Sequence, residues 1–113
     1  MRKVEIVLNE NRIKAQGEHS LEKICEGLDN AFVDYANMQK TTEESGKIIY
    51  SVSVMKDENH YAKIMGAITK YAKSKWFTDN AVRFVYGDTY GSDNPNDYSI
   101  EDILEIWKVG KSA

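Results

Sequence analysis

Residues 76–107, WFTDNAVRFVYGDTYGSDNPNDYSIEDILEIW, hold both tryptophans and the only proline of a 113-residue chain. The reading of their first half decides the fold. As a strand, Val82, Phe84 and Tyr86 alternate with Ala81, Arg83 and Val85. As a helix, Thr78 or Asp79 is an N-cap, and Phe77, Ala81, Phe84 and Val85 form a stripe. Gly87 then stands where a left-handed C-terminal cap belongs. A short apolar run satisfies both periods, and the balance favours a helix over 79–86. Thr89 to Asp97 is turn chemistry throughout. Ser99, with Asp102 three residues on, resembles a capping box. It would open a short last helix carrying Ile100, Ile103, Leu104 and Trp107. Val109 to Ala113 is expected to fray.

Upstream, Lys3 to Leu8 alternate as a half-buried strand with Val4, Ile6 and Leu8 on one side. Asn9-Glu10-Asn11 suits a tight turn. Arg12 to Ala15 then reads as the returning arm of a hairpin, ended by Gly17. Ser20 is a good N-cap. Leu21, Ile24, Cys25, Leu28, Ala31, Phe32 and Tyr35 recur at the spacing of an amphipathic helix over 20–38. Lys40 to Lys47 reads as a polar loop. Lys47 to Met55 is β-branched and alternating, and reads as the central strand with Ile48, Tyr50, Val52 and Val54 inward. Asp57 or Asn59 is placed to cap a second amphipathic helix over 60–75. The expected architecture is a single α+β domain spanning 1–113, with two to three antiparallel strands packed against three to four helices.

Composition narrows the function classes. Apolar residues are 42% and charged residues 29%, near the globular norm. A net charge of −3 argues against direct nucleic-acid binding, which draws on clustered Lys and Arg. Cys25 is the only cysteine, so no internal disulfide is expected and a reducing, cytoplasmic setting fits. Nothing in the sequence reads as a signal peptide or a membrane span.

No catalytic constellation emerges. His19 and His60 precede or open helices, where exposed polar residues are common, and neither has a triad setting. Cys25 lies on an apolar helix face and is expected to pack as an aliphatic group. Asp93 to Asp97 is rich in oxygen. From Asp93, however, Pro95, Tyr98 and Leu104 occupy the positions where a calcium loop needs an oxygen ligand, glycine and glutamate. Gly87 and Gly91 flank an aspartate, which would repel phosphate. Glu101, Asp102 and Glu105 suit the start of a helix and a solvated face. No metal and no cofactor is expected.

Charge segregation stands out. Tyr61 to Lys75 carry Lys63, Lys70, Lys73 and Lys75 and no acid, whereas Phe84 to Trp107 carry six acids and no Lys or Arg. Asp88, Tyr90, Asp93, Asp97, Tyr98, Glu101 and Asp102 are the candidate contact residues. The carboxylates would steer a basic partner and the tyrosines, Tyr86 among them, would supply contact area.

The run SLEKICEGLDNAF at 20–32, SKWFTDNAVRF at 74–84, the Tyr-Gly-Asp stretch after it and DYSIEDILEIW at 97–107 resemble a family of small uncharacterised proteins. That family is carried on conjugative and other mobile elements of gut Firmicutes. The resemblance covers most of 20–113, contains no catalytic signature, and implies a bacterial cytoplasmic accessory protein.

The sequence therefore leads to a non-catalytic interaction protein, not an enzyme, whose acidic, Tyr-rich C-terminal surface meets a basic protein or a second copy. Two alternatives remain. One is a modulator of a nucleic-acid-processing or defence enzyme. The other is a small-molecule binder with an aromatic pocket of Trp76, Phe84, Tyr86 and Tyr98.

Overall fold

Strand β1, Arg2–Leu8, forms as its alternation requires: Val4 and Ile6 are fully buried. The computed structural model describes residues 1–89 and 99–106. After β1 the chain departs from the expected hairpin. Asn9 accepts the Arg12 N–H at 3.1 Å and caps helix α1, Glu10–Gln16. Gly17, at φ 68°, closes it with its N–H on the Ile13 carbonyl at 3.2 Å. Arg12 to Ala15 are thus helical. Asparagine serves a turn and an N-cap equally well, and here its side-chain oxygen takes the orphan amide.

Ser20 accepts the Lys23 N–H at 3.1 Å and opens α2, Leu21–Asp29. The helix continues as a π-helical segment, Asn30–Tyr35, in which the Ala36 N–H reaches back to Ala31 at 3.0 Å. The wider turn rotates the apolar stripe. Tyr35, expected inward, is 54% exposed, and Ala36 is fully buried in its place. Asn37 at φ 54° and a Met38 N–H to Phe32 carbonyl bond of 2.9 Å end the helix in a left-handed cap.

Strand β2, Gln39–Thr42, lies in the segment expected to be a loop. All four of its residues are exposed, so it has no apolar alternation to signal it. It forms a hairpin with β3, Ile48–Val52, with register from Gln39↔Ser51 to Thr42↔Ile48. Ile48 and Tyr50 face the core as expected, but Val54 lies past the strand and is 81% exposed. Helix α3, His60–Ala72, follows.

Ser74 accepts the Phe77 N–H at 3.2 Å and caps α4, Lys75–Asn80. The chain then turns extended: β4 is Ala81–Asp88. Of the helix expected over 79–86, Asp79 and Asn80 end α4 and residues 81–86 are strand. The strand pairs with β1 from Arg2↔Asp88 to Leu8↔Ala81, with a register shift beside Val7 and Leu8 that leaves Val82 64% exposed. Tertiary pairing decides between the two periods. A helix here would leave one edge of β1 without its ladder. Strand β5, Ser99–Asp102, replaces the expected helix start. A helical turn begins at Ile103 instead, and Asp102 caps it by accepting the Leu104 N–H at 3.1 Å and the Glu105 N–H at 3.4 Å.

The sheet is fully antiparallel in the order β2-β3-β1-β4-β5. The central strand is β1, not β3. The α+β class holds, with five strands and five helical segments among the described residues, more than the two to three and three to four expected. The core lies between one sheet face and the helices. Val4, Ile6, Ile48, Tyr50, Phe84 and Tyr86 from the sheet meet Leu28, Phe32, Ile64, Ile68 and Phe77 from the helices. Rings run through it in series. Tyr50 stacks on Phe32 at 4.9 Å, Phe32 on Tyr71 at 6.1 Å, Tyr71 meets Phe77 edge-on at 4.9 Å, and Phe77 meets Phe84 at 5.5 Å.

His60 is 2% exposed, contrary to the expectation for a helix-opening residue. Its Nδ1 accepts the Lys56 N–H at 2.8 Å, which leaves the proton on Nε2 to donate to the Ala36 carbonyl at 2.6 Å. One ring thus ties the end of the π-helical segment to the start of α3. His60→Ala leaves the buried Ala36 carbonyl without this partner, while the Lys56 N–H, on an exposed residue, can turn to water. The substitution should cost about 2 kcal/mol in urea unfolding at unchanged m-value.

Candidate functional site

The acidic segment divides at the end of β4. Asp88 is 1% exposed. Its Oδ2 lies 2.9 Å from the Arg2 Nε and accepts the Tyr86 hydroxyl at 3.1 Å. The Arg2 N–H is not aligned for a hydrogen bond, so that contact is an ion pair held by charge. The Arg2 guanidinium also sits 5.3 Å from the centre of the Tyr61 ring, at the start of α3. Beside it the N-terminal ammonium donates to the Thr89 hydroxyl at 2.8 Å, and the Thr89 N–H donates to the Met1 carbonyl at 3.2 Å. Asp88 therefore pins the C-terminal end of β4 to the start of β1. Tyr86, 3% exposed, belongs to the core. Burial, followed by the charge and hydrogen bond of Asp88, pushes the Tyr86 phenol up from its ordinary value.

Glu101 and Asp102 have a different setting. They lie on β5, an edge strand whose four residues are all exposed. Its register is Val85↔Asp102, Tyr86↔Glu101, Gly87↔Ile100 and Asp88↔Ser99. Ile100, just before them on the strand, is 56% exposed, and Ile106, in the helical turn that follows, is 53% exposed. Tyr90, Asp93, Asp97 and Tyr98, together with Trp107, lie outside the described residues. Of the seven contact residues expected, the structure sets Asp88 in a buried ion pair and puts Glu101 and Asp102 on the surface of one strand. Asp102 also has a capping duty. The sequence held a signal for the buried role of Asp88, namely Arg2 at the far end of the chain, but only the β1–β4 register brings the two together.

A second charged cluster occupies the sheet face turned away from the helices. Glu5, 6% exposed, is held by Arg83 at 2.9 Å, Lys47 at 3.5 Å and Lys3 at 3.7 Å. Burial alone would raise its carboxyl. The Arg83 hydrogen bond and the surrounding cations outweigh that and hold it below the ordinary carboxylate value. On the other side of the sheet, the Tyr50 hydroxyl donates to Asp29 at 2.7 Å, and Lys40 pairs with the same carboxylate at 3.0 Å. Burial, then Asp29, pushes the Tyr50 phenol up.

The pocket expected from Trp76, Phe84, Tyr86 and Tyr98 is not assembled by the described residues, since Phe84 and Tyr86 are core. Cys25 is half-buried, and burial raises its thiol. Among the described residues no group of three or more His, Cys, Asp or Glu is placed to hold a metal ion. Among them, too, no helix is long and apolar enough to cross a membrane. Compared with known protein families, with curated proteins and with solved structures, the chain matches none.

Two outcomes follow from these environments. Asp88→Asn should cost stability near the lower end of the roughly 3–5 kcal/mol range for breaking a buried pair, because Arg2 keeps some solvent. Glu101→Gln on the exposed strand should stay within about 0.5 kcal/mol. Both are read from urea midpoints. The pH dependence has two limbs. The raised Tyr50 and Tyr86 phenols stabilise the fold below about pH 10, and that contribution is lost as pH rises and the unfolded phenols ionise. The lowered Glu5 carboxyl contributes above about pH 4.3, and its contribution is lost as pH falls through its folded value. Unfolding at stepped pH should show both declines, with Tyr50→Phe flattening the alkaline one and Glu5→Gln the acid one.

Proposed function

We propose that this is a non-catalytic interaction protein that binds a basic protein surface along the β5 edge of its sheet. The observation that carries the reading is the setting of β5. It is a short, fully exposed edge strand with Ile100, 56% exposed, followed by Glu101 and Asp102. It lies within a run from Phe84 to Trp107 that has six acids and no Lys or Arg.

An edge strand offers backbone N–H and C=O groups to a further strand, so a partner segment gains main-chain hydrogen bonds there. The carboxylates add charge that steers a basic segment and rejects an acidic one. Ile100 supplies the apolar contact that a purely ionic surface lacks. The buried Arg2–Asp88 pair and the N-terminus-to-Thr89 bond keep the neighbouring end of β4 rigid, so little ordering is needed on binding. In this reading Asp93 and Asp97, close in sequence, extend the same acidic contact, with Tyr90 and Tyr98 as its aromatic part.

The test is capture of a host partner by the intact chain, followed by variants. Glu101→Lys together with Ile100→Ser should weaken binding at least tenfold, and the wild-type complex should weaken as salt rises. Asp93→Asn with Asp97→Asn should lower the on-rate more than it raises the off-rate. A partner that binds Glu101→Lys/Ile100→Ser unchanged would show that the contact lies elsewhere. If DNA displaces the partner at low salt, the partner is a nucleic-acid enzyme and the protein acts as its modulator.

A further inference from the structure

The cleft between α2, the end of α3 and the start of α4 has a chemistry that the β5 edge does not involve. It measures ≈ 260 Å³ and is lined by His19, Lys23, Tyr71, Ser74, Trp76 and Phe77, with Gly27 between them. Four of its lining side chains are rings. Tyr71 and Phe77 meet edge-on at 4.9 Å, and Trp76 meets the His19 ring edge-on at 4.5 Å.

Three features distinguish it from a packing defect. The Trp76 indole nitrogen is buried and has no hydrogen-bond partner among the described residues. A buried donor left unpaired costs free energy, which would be recovered if the half-buried indole turns to bring its N–H onto a ligand acceptor. Gly27 is the second feature. A Cβ there would come 3.0 Å from the Tyr71 hydroxyl, so glycine is what lets that hydroxyl lie against α2. Burial keeps the phenol protonated and therefore a donor. The third is the rim. Lys23 and His19 are exposed beside the rings, while the nearest walls carry no carboxylate.

We propose that this cleft binds a small planar aromatic carboxylate, with its ring between Trp76 and Tyr71 and its carboxylate toward Lys23 and His19. A cavity of about 150 Å³ takes benzene, so this one suits a fused two-ring molecule. The rings supply stacking area, the indole N–H takes an acceptor, and the ammonium selects an anion over a neutral analogue.

The probe is indole-3-carboxylate, with indole-3-carboxamide as its uncharged counterpart, titrated into the full chain labelled with ¹⁵N. The Trp76 indole cross-peak, identified by its loss in Trp76→Phe, should shift saturably. The carboxamide should bind about tenfold more weakly. Lys23→Ala, on the exposed rim, should remove that preference, and Trp76→Phe should weaken the carboxylate about tenfold, the loss of one hydrogen bond. The site is overturned by any of three results in the folded protein. These are no saturable shift at millimolar probe, equal affinity for the two probes, or a carboxylate preference that survives Lys23→Ala. If Trp76→Phe does not fold, the two probes and Lys23→Ala decide the question without it.

Discussion

Alternation along β1 divides the molecule in two. Val4 and Ile6 are fully buried against the helices, while Glu5, between them, sits among Lys3, Lys47 and Arg83 on the opposite face. A slip of one residue would drive Glu5 into the apolar core and expose the two aliphatics, so the register is specified strongly. The β3 and β4 strands take their places from it. Ile48 and Tyr50 on one side, and Phe84 and Tyr86 on the other, fall in the dry layer because they pair with Ile6 and Val4.

The helical layer is fitted to that sheet by irregularities as much as by regular turns. The π-helical segment rotates Ala36 inward and Tyr35 outward, and its end is held by His60. The β4 shift beside Leu8 does the same for the sheet, placing Ala81 rather than Val82 opposite Leu8. Both devices insert one residue where an ideal period would misplace a side chain. Each is anchored by hydrogen bonds to residues far along the chain. Two tyrosines of the core are satisfied in the same way: the Tyr50 hydroxyl reaches Asp29, and the Tyr86 hydroxyl reaches Asp88. Among the described residues, two places where partners are incomplete are the outer edge of β5 and the cleft at Trp76. They are on different layers, so one can be altered without the other.

Much of the fold was legible in local sequence. Ser20 marks the start of α2, Val4 and Ile6 mark β1, and Ile48 and Tyr50 mark the inner face of β3, because each needs only a period or a cap. The site was half legible. The acidic run and its lack of Lys and Arg are plain in the sequence. That Asp88 is a buried anchor and Glu101 an exposed edge residue is not, since both are acidic residues near turns.

The sequence by itself determined composition, the α+β class, the faces of β1 and β3 and the cap at Ser20. These depend on interactions within a few residues. Only the tertiary structure decided that 81–88 is a strand, that Asn9 opens a helix, that Gln39–Thr42 pairs at an edge and that β1 is central. In each of those places the local signal is degenerate, serving either helix or strand, or absent because every side chain is exposed. What resolves it is a hydrogen-bond ladder to a segment distant in the chain, such as the pairing of Arg2 with Asp88. No local period contains that information.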